Sequence, residues 1–176
     1  MDQRLIILSD LWGANGVNWI DKYKNKLNHH FDIQIYDVCE LADINISSLK
    51  ENEIHRDFVN GGIEKAVNSL INLEKNKINI LAFSIGGFIA WEACLKGLCI
   101  NNFFAVSSTR LRIQKIKPVC YLQLYFGEKD IYKPNNLWFK ALDVKPNIIK
   151  NKNHNLYKED GFIDTLCIDL MKESNE

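Results

Sequence analysis

The sequence predicts an α/β protein, a three-layer, doubly wound, mostly parallel six-stranded sheet in strand order 2-1-3-4-5-6. Three observations carry that expectation. Short apolar runs alternate with stretches of helical spacing, the pattern of a parallel sheet covered on both faces. Crossovers between parallel strands are right-handed, so few topologies remain. A chain of 176 residues is long enough for one domain with a proper core and too short for two, so 1–176 reads as a single domain.

The elements follow in chain order. The apolar run 5–9 predicts the first strand. A helix is expected over 16–27, with Trp19, Ile20, Tyr23 and Leu27 at helical spacing. The second strand is placed at 32–37, on the alternation of Ile33 and Ile35 and with Val38 as a further apolar position. The stretch 39–52 reads as irregular, and a helix from 56 to 73 presents Phe58, Ile63, Ala66, Val67, Leu70 and Ile71 on one face. The third strand, 78–83, runs into a sharp turn at Ser84 and a helix through Lys96. Strands at 102–106, 119–126 and 147–149, a helix at 135–142 and a last helix at 161–172 complete the chain. In this strand order the topological switch point lies between the first and third strands. A site is therefore expected at their carboxyl ends, between the loop 9–16 and the turn at Ser84.

The residues at that turn carry the chemistry. Ser84 lies in Ile80-Leu81-Ala82-Phe83-Ser84-Ile85-Gly86-Gly87, between a strand and a helix. This is how a nucleophile elbow reads, with the hydroxyl thrust out at a strained turn whose neighbours two residues away must be nearly free of side chain. Gly86 meets that need, Gly87 lets the helix pack closely, and Ala82 stands where the pattern usually has glycine. A serine hydroxyl needs a base, and the loop residue His154 follows the last strand. Asp130, in Gly127-Glu128-Lys129-Asp130 at the end of the fifth strand, is the carboxylate expected to orient it. His55, His29 and His30 are weaker bases, and Asp143 and Asp160 weaker carboxylates. Two backbone N–H groups should receive a developing oxyanion: that of Ile85, and that of Trp12 or, alternatively, Leu11. Part of the wall should come from 39–55, including Asn45, Ser47, Ser48 and His55.

Composition narrows the function classes. Lys+Arg and Asp+Glu balance at 22 each, which gives no argument for nucleic acid or an anionic membrane surface. Five cysteines (Cys39, Cys94, Cys99, Cys120 and Cys167) without Cys-x-x-Cys spacing read as reduced core residues of a cytoplasmic protein. The His and Cys spacings make no zinc site, and acyl transfer through a serine implies no metal or cofactor. The first strand begins almost at once and is too short for a signal peptide, and the longest apolar run, 78–91, is too short for a membrane span.

The serine turn and the order Ser84, Asp130, His154 resemble the α/β-hydrolase superfamily over nearly the whole chain. The loop Leu8-Ser9-Asp10-Leu11-Trp12-Gly13-Ala14-Asn15 is loosely similar to that of pimeloyl-acyl-carrier-protein methyl ester esterases, with Asp10 and Leu11 in place of His-Gly. The resemblance implies a serine hydrolase that cleaves a carboxylic ester or thioester through an acyl-enzyme on Ser84. Only 107–118 lies where such enzymes insert a lid, so a minimal, lidless core with an open site is expected. That segment is basic (Arg110, Arg112, Lys115 and Lys117). Trp12, Arg110 and Arg112 are thus expected to bind substrate, including one carried on an acidic acyl carrier protein. Two other readings stand beside this one. The first is a hydrolase-fold protein that binds a ligand or partner without turnover, suggested by the departures at Ala82, Asp10 and Leu11. The second is a cysteine hydrolase using Cys94 or Cys120.

Overall fold

A computed structural model describes residues 3–47 and 49–173. Six parallel strands form one sheet in the order β2-β1-β3-β4-β5-β6. They are β1 (Gln3–Leu8), β2 (Phe31–Tyr36), β3 (Ile78–Phe83), β4 (Ile100–Val106), β5 (Tyr121–Gly127) and β6 (Asn147–Ile149). Every pairing is parallel. The central strand β3 is buried at all six positions, as a strand with helices on both faces must be. The fifth strand begins at Tyr121 rather than at 119, because Val119 is almost wholly exposed outside the ladder.

Two cores flank the sheet. On one face α1 (Asn18–Leu27) and α7 (Asp160–Glu173) pack their apolar stripes over Leu5, Ile7, Leu81, Phe83, Phe104 and Val106. On the other, α4 (Ile63–Leu73) and α5 (Ile85–Leu95) cover Ile6, Leu8, Ile80, Ala82, Phe103 and Ala105. Helix α5 is buried on nearly every side, which is why its sequence lacks an amphipathic stripe.

The region between β2 and β3 departs from expectation. The stretch read as irregular contains α2 (Val38–Ala42). Asp37 caps it, its carboxylate accepting from the N–H groups of Cys39 and Glu40. Val38 therefore belongs to a helix and not to the second strand. The expected helix from 56 to 73 is two helices. Helix α3 (Glu51–Asp57) starts where Glu53 accepts from the Lys50 N–H at 2.8 Å. A π-turn, Phe58–Gly62, then separates it from α4, and Gly61 adopts φ +118° within that turn. The Gly61-Gly62 pair is the sequence signal of this break. Between β4 and β5, residues 107–120 hold a single 3-10 turn, Thr109–Ile113, and no inserted lid. A short helix, α6 (Asn136–Ala141), precedes β6.

Candidate active site

Ser84 occupies the tip of the turn between β3 and α5 with φ 49° and ψ −117°, a strained conformation for a residue with a side chain. The strain is held by close packing. A Cβ on Gly86 would stand 2.5 Å from the Ser9 carbonyl oxygen, and one on Gly87 would collide with the Ser108 side chain. The Ser84 N–H donates to the Val106 carbonyl at 2.9 Å, which ties the turn to the end of β4. Ala82 is fully buried, and its methyl group is accommodated in the ladder between Leu8 and Ala105.

Three side chains meet at this turn. Ser84 Oγ lies 3.2 Å from His154 Nε2, and His154 Nδ1 lies 2.7 Å from Asp130 Oδ2. Asp130 is buried, and its other carboxylate oxygen accepts from the Tyr132 N–H at 3.1 Å. With the carboxylate against Nδ1, that nitrogen carries the proton and Nε2 is left to accept from the serine. The histidine reaches this position because Gly127, the last residue of β5, has no side chain. A Cβ there would run into the carbonyls of Lys152 and Asn153, the approach to His154. Ser107, at φ 53°, donates from Oγ to the His154 carbonyl at 2.6 Å and fixes the loop from below.

Of the weaker sequence candidates, four fall elsewhere, while His55 lines the cavity described below. His29 and His30 are exposed at the end of α1. Asp160 pairs with Lys22, and Asp143 is exposed with its carbonyl bonded to Lys117 Nζ. Cys94 and Cys120 are half-buried and hydrogen-bonded to each other. That bond pulls the Cys94 thiol pKa down and pushes Cys120 up, with burial adding to the latter. Neither cysteine lines the cavity at Ser84, which leaves the cysteine-hydrolase reading without a base. Cys99 is exposed, a correction to the reading of all five as core residues.

A cavity of about 600 Å³ opens beside Ser84. The loop after β1 contributes Asp10, Leu11 and Trp12, and α3 contributes Glu51 and His55. Arg110 and Arg112 come from the 3-10 turn, and Tyr157 and Lys158 from the turn His154–Lys158. Of the stretch 39–55, His55 is the expected residue that lines this cavity. Asn45 bonds to Ser47 instead, and Ser48 lies outside the described residues. Among the described residues no cluster of three or more His, Cys, Asp or Glu side chains is placed to hold a metal ion, and no helix is long and apolar enough to cross a membrane.

The loop after β1 is more constrained than its sequence suggests. Asp10 is buried, and its Oδ1 accepts from the Trp12 N–H at 3.0 Å. Its Oδ2 accepts from the Tyr157 hydroxyl at 2.9 Å and lies 3.3 Å from Lys158 Nζ. Burial, then the nearby Asp10 charge, pushes the Tyr157 phenol pKa up, so this hydroxyl stays a donor. The Asp10 carboxylate takes the Trp12 N–H, so of the two N–H groups that the sequence nominates in this loop the Leu11 N–H is the one left unoccupied by that carboxylate. Neither the Leu11 nor the Ile85 N–H has a hydrogen-bond partner among the described residues. Trp12 keeps its place as a half-exposed wall of the cavity. Gly13, at φ +78°, lies against Asp37, whose carboxylate also takes the Ala14 N–H at 2.7 Å.

Ser107, Tyr157, Lys158 and Asp37 were not singled out in the sequence. For Asp37 a signal existed, an aspartate three residues before Glu40 at a helix start. For the others the roles arise only from long-range contact.

Solved structures share this architecture. One from Xanthomonas campestris pv. campestris, described as of the alpha/beta hydrolase superfamily, has a TM-score of 0.68 at 10% identity, covering 98% of each chain. Est1E from Butyrivibrio proteoclasticus, solved with ferulic acid, has a TM-score of 0.67 at 12% identity, covering 98% of this chain and 88% of its own. The chain has the α/β-hydrolase fold. A structure from a study of carboxylesterases of Nitrososphaera gargenis is likewise similar, with a TM-score of 0.65 at 10% identity, covering 98% of this chain and 92% of its own. No protein-family model and no curated protein matches the sequence.

Proposed function

We propose that the protein is a serine hydrolase that cleaves a carboxylic ester or thioester. The observation that carries this reading is the hydrogen-bonded chain from Ser84 Oγ through His154 to the buried Asp130, at a strained turn of the α/β-hydrolase fold. Ser84 Oγ attacks the carbonyl carbon while its proton passes to His154 Nε2. The oxyanion forms against the Ile85 and Leu11 N–H groups, Ile85 heading a helix whose dipole favours negative charge there. The bond to the leaving group breaks, and that group takes the proton from Nε2. Water then attacks the acyl-enzyme, gives its proton to Nε2, and releases the acid as Ser84 regains its hydrogen.

The lidless site admits a long or carrier-bound acyl chain. Arg112 and Lys115 are exposed on the segment that contributes Arg110 and Arg112 to the cavity, and their positive charge supports an acidic acyl carrier protein as the substrate's carrier. Arg112→Glu is expected to raise KM for a carrier-bound ester and to spare a small one. Equal effects on both would remove the carrier from the reading.

The alternative, a ligand-binding protein without turnover, draws on Asp10, which withdraws one N–H from the loop that should hold the oxyanion. Labelling with a fluorophosphonate decides between them. Wild-type protein is expected to label at Ser84, with labelling lost in Ser84→Ala and in His154→Ala. A folded wild type that stays unlabelled supports the binding protein.

A further inference from the structure

Arg110, a cation of the cavity, has no ion-pair partner among the described residues. Arg110 lines the pocket beside Ser84, half-buried, with its Nε buried and without a hydrogen-bond partner among the described residues. Its guanidinium carbon sits 5.2 Å from the centre of the Phe88 ring, which packs the group without supplying an acceptor. Burial, then repulsion from Arg112, lowers its pKa from the ordinary arginine value, although a guanidinium remains charged.

Of the neighbouring charges, Asp10, Arg112 and Glu92 are otherwise engaged. Asp10 is bonded to Tyr157 and Trp12 and paired with Lys158. Arg112 donates to the Thr109 carbonyl. Glu92, in the adjoining groove, accepts from Gln114 Nε2. Glu51 is exposed at the edge of the cavity on α3. The guanidinium therefore borders the cavity with its charge unpaired among the described residues, and an anion brought by a ligand would neutralise it.

We infer that Arg110 binds an anionic group of the substrate itself, a carboxylate or phosphate a few bonds from the scissile carbonyl. The planar fork of a guanidinium fits either group. This inference rests on the serine-hydrolase reading and narrows its substrate class to anionic esters or thioesters. It is separate from a carrier protein meeting Arg112 outside the cavity.

Three para-nitrophenyl esters of similar length test it: the neutral pentanoate, the glutarate half-ester and the phosphonobutanoate. Wild-type kcat/KM is expected to be roughly tenfold or more higher for an anionic ester than for pentanoate. A preference for glutarate identifies a carboxylate, and one for the phosphonate a phosphate. Arg110→Gln should lower kcat/KM for the preferred anionic ester by roughly 10- to 100-fold, far more than for pentanoate. Arg110→Lys should recover part of the loss. Equal wild-type rates on all three esters, or a loss in Arg110→Gln common to all three, would overturn the inference. If Ser84 does not label and no ester turns over, the hydrolase reading has failed, and calorimetry then tests the anion site alone. Glutarate or inorganic phosphate that binds wild type but not Arg110→Gln supports the site, and binding of neither overturns it.

Discussion

The sharpest tension at the scale of single residues is a buried carboxylate beside a proposed oxyanion site. Left unpaired, Asp10 would oppose negative charge on the substrate oxygen. Lys158 Nζ, 3.3 Å from Asp10 Oδ2, offsets it. Lys158→Gln is therefore expected to lower kcat with little change in KM for a neutral ester, because the opposing field is felt mainly as the oxyanion develops. Steady-state kinetics check this, and a change confined to KM would contradict it. Asp130→Asn should reduce kcat by about ten-thousand-fold, because an amide permits the wrong His154 tautomer. Circular dichroism should be unchanged in that variant, since an amide oxygen still accepts from the Tyr132 N–H.

At the scale of elements, the β3–α5 turn works because three backbones approach closely. Gly86→Ala places a methyl group 2.5 Å from the Ser9 carbonyl, at the base of the loop that carries Leu11. The turn or that loop must shift, so the variant should lose about 1–3 kcal/mol of stability. It should also lose more activity than stability, because the relation of Ile85 to Leu11 changes with it. Urea denaturation and ester turnover, measured on one preparation, separate the two effects. Helix α3 is the other element that shapes the site. The π-turn with Gly61 at φ +118° separates it from α4, and α3 brings Glu51 and His55 to the cavity.

Across the whole molecule, distant parts of the chain are tied together on both sides of the sheet. Trp19, Tyr23, Phe83 and Tyr157 form an aromatic cluster beneath the site, with Trp19 and Phe83 edge to face at 4.8 Å. Tyr23 donates to the Tyr157 carbonyl, so α1 supports the turn that carries His154 and Lys158. Elsewhere on the molecule, Arg4 grips the buried Glu74 through two bonds of 2.8 and 2.7 Å, and the Tyr36 hydroxyl adds a third. Burial pushes the Glu74 pKa up, but the bonds from Arg4 and Tyr36 outweigh it and hold the carboxyl below its ordinary 4.5. A depressed carboxyl stabilises the fold above the unfolded value and ceases to as the pH falls through the folded one. Glu74→Gln should thus cost about 1.5–3 kcal/mol near pH 7 and flatten the fall of stability in acid below about pH 4.5. Urea midpoints across that range test it, and an unchanged acid slope would count against it.

Much of this was legible in local pattern. Strand order and the two-sided covering of β3 follow from apolar periodicity and the right-handed crossover, the turn at Ser84 from the small residues around it, and the grouping with Asp130 and His154 from the resemblance to the α/β-hydrolase order. The break between α3 and α4 was less plain, because a helical stripe of apolar residues runs through Gly61 and Gly62 and periodicity does not register one distorted turn. Helix α2 was missed because one turn is too short to show a period, although Asp37 and Glu40 mark its start. By itself, then, the sequence determined the sheet and its switch point, since both depend on local apolar pattern, and it named Ser84, Asp130 and His154 through an order after successive strands that resembles the α/β-hydrolases. Only the tertiary structure decided that Asp10 claims the Trp12 N–H, that Ser107 holds the His154 loop, and that Arg110 Nε has no acceptor among the described residues. Those outcomes depend on which distant groups arrive within hydrogen-bond reach, and packing, not local pattern, selects them.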